Sequence, residues 1–183
     1  MANNLTDPKS LGPSAVVSAT ANIPLAVAWE RFVPIELPMV FPKAKGPIPP
    51  VVAVEGQTGR WDEVGMSRTV VLGDGARLRE QITLSNPTGG VPPANGSARF
   101  GYMVSGFSGP LGWMTNEARG LWQFEEVGEI TKIIWTYGFK PTSVLSRPIL
   151  GLIIAAFGRN ICRTGCRTSS GSLSTARHEL FHA

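Results

Sequence analysis

The alternation of apolar and polar residues changes its period along the chain, and each change marks a different kind of element. Ala15-Val16-Val17-Ser18-Ala19-Thr20-Ala21 alternates as a first strand does. Pro24 then suits a first helical turn, and Leu25, Ala28, Trp29 and Phe32 fall on one side of a short helix over 25–32 that Pro34 stops. Pro38, Pro42, Pro47, Pro49 and Pro50 exclude a long regular element from 35 to 50, so this stretch reads as a packed loop or short second helix burying Met39, Val40 and Phe41.

From Val51 the period becomes two, with strands expected near 51–56, 66–73, 76–85, 97–106, 118–127 and 130–139. Short spacings between them indicate an antiparallel meander. Asp74-Gly75 supplies the positive backbone torsions of a tight hairpin, and Gly128-Glu129 makes a second. Residues 86–96 and 109–116, rich in Gly and Pro, read as loops at the mouth of a barrel. After Pro141, Thr142 or Ser143 can cap a helix carrying Leu145, Ile149, Leu152, Ile153, Ala156, Phe157 and Ile161 at intervals of three and four, and Pro148 allows a start as late as Arg147.

These elements fit one α+β domain over 14–163, a curved antiparallel sheet wrapped around a long C-terminal α-helix. Residues 1–13, polar with Pro8 and Pro13, are expected to be a flexible lead, and the Ser- and Gly-rich 164–183 a disordered tail.

Because strand side chains alternate, the more apolar set of each strand should face the helix. Those sets are Arg68, Val70, Leu72; Leu78, Glu80, Ile82, Leu84; Phe100, Tyr102, Val104; Trp122, Phe124; and Ile133, Trp135, Tyr137, Phe139. Arg79, Gln81, Thr83, Arg119, Gln123, Glu125, Lys132 and Thr136 are left for solvent. Arg68 and Glu80 thus stand on the apolar side of adjacent hairpin strands, which costs free energy unless they pair or meet a polar ligand. They either bridge each other and fix the hairpin, or form the polar end of a cavity walled by Tyr102, Trp122, Trp135, Tyr137 and Phe139. The aromatic residues also admit a plainer account, as core filling.

The 183 residues suffice for a sizeable core or an enclosed cavity. Of the 17 basic against 13 acidic residues, Arg159, Arg163, Arg167 and Arg177 lie in the last 25 positions, and nowhere else do Lys or Arg interleave with aromatics as a nucleic-acid groove requires. Cys162 and Cys166, four apart in a basic segment, match neither a disulfide framework nor a paired zinc spacing, and Met1 to Pro13 has no basic residue before an apolar run. A reduced, cytoplasmic setting is therefore expected, with the sequons at Asn4 and Asn95 unused. The longest apolar run, Ile149 to Phe157, is far short of the roughly 20 residues a membrane span needs.

The order of strand, short helices, six-strand meander and long C-terminal helix resembles the START-like superfamily of polyketide cyclase/dehydrase and lipid-transfer proteins, also called SRPBCC. The resemblance runs over residues 14–163 through Ala28-Trp29-Glu30, Gly65-Met66-Ser67-Arg68, Asp74-Gly75 with Leu78-Arg79-Glu80, Phe100-Gly101-Tyr102-Met103-Val104, and Thr131 to Trp135. It implies a helix-grip fold with a cavity between sheet and helix. Its members include carriers and cyclases, so fold alone does not choose between a binding protein and an enzyme.

His178-Glu179-Leu180-Phe181-His182 matches the H-E-x-x-H zinc pattern. Its place at the end of a Ser-rich segment, with no other histidine in the chain for a third ligand, argues against a working metal site. No metal or cofactor is expected. There is no Gly-x-Ser-x-Gly elbow or P-loop, which leaves acid/base work to Glu80, Glu117, Tyr102 or Arg68. The expected function is therefore binding of a small hydrophobic molecule such as a lipid, polyketide or aromatic, with Arg68, Glu80, Tyr102, Trp122, Trp135, Tyr137 and Phe139 as ligand contacts. The alternative is a polyketide cyclase or dehydrase using the same cavity, an Arg orienting carbonyls while a carboxylate or Tyr moves protons.

Overall fold

The computed structural model describes residues 7–33, 37–40, 49–87 and 96–165, with residues 39–40 and 156–165 described by their backbone alone. Seven strands form one antiparallel sheet: β1 (Ser14–Ala21), β2 (Val51–Glu55), β3 (Ser67–Leu72), β4 (Arg77–Asn86), β5 (Ser97–Ser105), β6 (Thr115–Val127) and β7 (Ile130–Pro141), in the spatial order β1-β7-β6-β5-β4-β3-β2. The consecutive strands β1 and β2 are opposite edges, joined across the sheet by a segment that includes α1 (Leu25–Phe32) and α2 (Leu37–Val40). A short α3 (Gly109–Met114) precedes β6, and α4 (Ser146–Gly165) follows the last strand.

Local chemistry explains most boundaries. At the β3–β4 hairpin Gly75 has φ +83°, the Leu72 N–H donates to the Ala76 carbonyl at 2.8 Å, and the Ala76 N–H donates to the Asp74 carboxylate at 2.9 Å. Ser143 and Ser146 exchange hydrogen bonds at the start of α4, each backbone N–H donating to the other's hydroxyl oxygen at 3.2 Å, and Pro148 sits in the first turn where its missing N–H costs nothing. α1 has no local side-chain cap. Its Leu25 N–H donates instead to the Glu126 carboxylate of β6 at 3.0 Å, and Thr131 donates to the Ile23 carbonyl at 2.7 Å, so both ties to the sheet are long-range.

Five features depart from the sequence pattern. Leu145, Ile149 and Leu152 are exposed, whereas Leu150, Ile153 and Ile154 are buried against the sheet. The helix is apolar on more than one side, and packing selects the side next to Val104, Ala118 and Phe139. Leu84 does not point inward: the pairing shifts between Ile82 and Leu84, which brings Ser85 to the inner face opposite Phe100 and sets Leu84 against Gly101 on the other. Thr136 is buried rather than solvated. The cause is a 3-10 helix over Pro8–Leu11, within the expected flexible lead, which packs on the outer face of β6 and β7 with the Pro8 carbonyl against Gly138. Finally, residues 109–114 form α3 rather than loop. The expected tail beyond Gly165 lies outside the described residues, as does most of the 86–96 loop.

The concave face carries two clusters. Trp29 and Phe32 of α1 pack with Ile82, Phe100, Trp122, Phe124 and Ile133 at one end, while Leu150, Ile153 and Ile154 of α4 pack with Val104, Ala118 and Phe139 at the other. Tyr102 touches both.

A Cβ at position 138 would overlap the Pro8 carbonyl, which is backbone and cannot rotate away, so Gly138→Ala is expected to cost about 1–3 kcal/mol. A Cβ at Gly151 in α4 meets nothing, and Gly151→Ala should stabilise by about 0.5–1 kcal/mol. Denaturant unfolding of the two variants tests whether the Pro8 segment is part of the folded unit.

Candidate functional site

Antiparallel register places Arg68 of β3 directly opposite Glu80 of β4, both on the inner face. The Arg68 Nε donates to the Glu80 carboxylate at 2.8 Å, with side chains only 5% and 10% exposed. On its other side the guanidinium lies over the Trp61 ring, 3.8 Å from its centre. Burial pushes the Glu80 carboxyl above its ordinary range, and the Arg68 charge and hydrogen bond oppose that shift without cancelling it.

Across β5 to β7, the register sets Tyr102 opposite Gly120, and Gly120 opposite Tyr137. Any side chain at 120 would collide with the Tyr102 ring, so glycine there lets that ring lie down across the sheet toward β7. Trp135, Tyr137 and Phe139 alternate along β7 with ring centres 5.4 and 5.1 Å apart, and Tyr102 stands 6.4 Å from Tyr137. Behind them Trp122 is stacked on Trp135 at 5.4 Å and on Phe32 at 6.4 Å.

Between the two clusters an apolar cavity of about 140 Å³ remains open. Of the seven residues expected at the site, Glu80, Tyr102, Trp135, Tyr137 and Phe139 line it. Arg68 and Trp122 stand behind the wall, one paired to Glu80 and the other stacked on Trp135. Glu117 is elsewhere, held by Arg119 at 2.7 Å and by Lys140 at 3.7 Å. The remaining lining comes from segments that periodicity does not join: Ala15 and Val17 of β1, Leu37, Pro49 and Val51, Phe107 and Leu111, and Ile154 of α4. Only their apolar character was visible in sequence.

Both tyrosine hydroxyls are pushed well above their ordinary pKa, first by burial and then by neighbouring acidic groups: Glu80 for Tyr102, and Tyr102 and Glu80 for Tyr137. The indole N–H groups of Trp135 and Trp122 and the Arg68 charge moderate the effect on Tyr102. The Trp135 N–H is itself buried without an acceptor at full hydrogen-bond geometry. The polar side of the cavity is thus two neutral phenols and a carboxyl that burial biases toward its protonated form. Among the described residues no group of three or more His, Cys, Asp and Glu could hold a metal ion, and no helix is long and apolar enough to cross a membrane. The H-E-x-x-H segment and Cys166 lie outside the described residues, and Cys162 is described by backbone only.

The same architecture occurs in solved structures of low sequence identity. Ara h 8.0201 matches with a TM-score of 0.51 at 15% identity, over 80% of this chain and 95% of that one. This is the helix-grip fold. A protein from Thermus thermophilus matches at 0.53 and 15% identity over 93% of this chain and 98% of its own. An uncharacterized protein from Bacillus thuringiensis matches at 0.53 and 14%, over 93% and 99%. No family model matches the chain, and no curated protein matches it in sequence. At 14–15% identity these structures share the helix-grip sheet, and the site is read from this chain's own side chains.

Removing Arg68 while keeping Glu80 leaves a buried carboxyl without its partner, so Arg68→Met should cost about 3–5 kcal/mol at neutral pH. Because the folded Glu80 holds its proton more tightly than the unfolded chain, stability falls as pH rises above the ordinary carboxylate range, and Glu80→Gln should flatten that part of the profile. Thermal unfolding across pH reads both. The chain has two tyrosines, Tyr102 and Tyr137. Spectrophotometric titration should therefore show almost no tyrosinate at about pH 11 in the folded protein, and both phenols ionising once denaturant is added.

Proposed function

We propose that this protein binds one small hydrophobic molecule in the cavity between its sheet and its C-terminal helix. The observation that carries this reading is the open apolar space between two well-packed clusters, since buried polar and aromatic groups facing an unfilled volume are the make-up of a ligand site. The resemblance to SRPBCC carriers supports it as fold-level analogy.

The wall also bears on the ligand's polarity. Glu80 is the one formally charged residue among the described residues lining the cavity, and Arg68 is spent on the far side of it. An anionic head would face a carboxyl and two phenols with no cation in that lining, whereas a neutral hydroxyl can donate to Glu80 and exchange hydrogen bonds with Tyr102 or Tyr137. A neutral alcohol or phenol is therefore favoured over a carboxylic acid. The cyclase alternative needs an arginine facing substrate to orient carbonyls. Arg68, held between Glu80 and Trp61, does not line the cavity, which favours binding over cyclisation.

The test is displacement of a neutral fluorescent probe such as N-phenyl-1-naphthylamine, together with mass spectrometry of a solvent extract of the purified protein. The wild type should bind the probe, and Leu111→Trp, which fills the cavity from α3, should weaken it at least about tenfold. A medium-chain alcohol should displace the probe about tenfold better than the matching carboxylate at neutral pH. Failure of the wild type to bind any probe, with an empty extract, would overturn the reading.

A further inference from the structure

α4 has more apolar surface than the sheet can cover. From Pro148 to Phe157 the sequence runs for ten residues without a polar side chain. Leu150, Ile153 and Ile154 are buried inward, while Pro148, Ile149, Leu152 and Ala155 are left exposed, continuing from Val144 and Leu145 in the turn that leads into the helix. Leu145, Ile149 and Leu152 follow one another at spacings of four and three, the seam spacing of packed helices. α3 adds to this surface. Its six residues are all glycine, proline or apolar, none of them is buried, and Trp113 is 79% exposed. Thr142 holds the two elements together, its N–H donating to the Met114 carbonyl at 3.0 Å and its hydroxyl to the Trp113 carbonyl at 2.6 Å.

Area and charge select what meets this face. Trp113, Val144, Leu145, Ile149 and Leu152 are each between 48% and 84% exposed, and five side chains of this size present most of the roughly 800 Å² per partner that a standard protein contact buries. Single exposed apolar residues are ordinary, but a group of this extent is not. From Gly109 to Asn116 and from Pro141 to Phe157 the sequence holds one charged residue, Arg147, and the helical repeat turns it to the opposite side of α4 from Leu145, Ile149 and Leu152. Depletion of charge marks the core of a protein interface, and an uncharged face can be set against its own copy across a two-fold axis without like charges meeting. We propose that two copies of this chain pair through this face, α4 packed antiparallel on its mate with Ile149 and Leu152 near the axis and α3 at the flank. A lipid surface is a poorer occupant, because the face offers lipid phosphates no cation. Ile154 meets the cavity from the inner side of α4, so the inference stands apart from the identity of any molecule bound there.

The experiment is sedimentation velocity of the full chain over a concentration series from about 1 to about 100 μM. The wild type should pass from monomer to a discrete dimer within this range, and raising salt to about 0.5 M should leave the dimer in place, since the contact has no ion pair to screen. Leu145→Glu with Leu152→Glu, at positions too exposed to support the core, should weaken pairing at least about tenfold while keeping wild-type unfolding behaviour at the monomeric end of the series. Leu152→Glu alone should weaken it less. Arg147→Glu, on the other side of the helix, should pair as the wild type does. A monomer throughout the series, aggregates with no discrete dimer, a dimer that salt dissolves, or equal pairing by the wild type and the double variant would each overturn the proposal.

Discussion

An antiparallel sheet of seven strands offers one broad concave face, and the helices of this chain cover its ends but not its middle. Everything else follows from that constraint. α1 fills one end with Trp29 and Phe32, its start tied by hydrogen bonds to Glu126 of β6 and from Thr131 of β7. α4 fills the other with Leu150, Ile153 and Ile154. The cavity is lined by Tyr102, Trp135 and Tyr137 from the sheet and by Leu37, Phe107 and Leu111 from other segments.

That middle is also where the chain tolerates polarity. Arg68 and Glu80 satisfy each other at 2.8 Å, and Trp61 covers the guanidinium, so the pair is a supported ion pair whose carboxyl end alone is turned to the cavity. The two readings open at the sequence level, an internal bridge or a polar cavity end, are thus both true of different members of the pair. Arg68 is held between Glu80 and Trp61, and Glu80 alone of the two lines the cavity. Gly120 makes a similar division of labour in the aromatic wall, since its missing side chain lets Tyr102 lie toward Tyr137 while Trp122 stiffens Trp135 from behind.

α4 is apolar on two sides, only one of which the sheet covers. The inner one completes the fold, and the outer one, joined to Trp113 through Thr142, leaves apolar side chains in water that the fold itself does not require. A globular domain ordinarily places polar residues there.

The sequence by itself determined the strands, α1 and α4, and most strand faces. Period-two runs located the strands to within a few residues, Asp74-Gly75 located the hairpin, and alternation placed Arg68 and Glu80 on one face, because these depend on neighbours one to four positions apart. It did not determine which apolar side of α4 is buried, that the Ile82–Leu84 bulge turns Leu84 outward, or that the Pro8 segment buries Thr136. Nor could it separate Trp122, which fills, from Trp135, which lines, two aromatic residues with the same local pattern. A cavity is the absence of packing between elements such as β1, α3 and α4 that are distant in the chain. Its existence is decided by how closely those elements approach, a quantity no local period encodes.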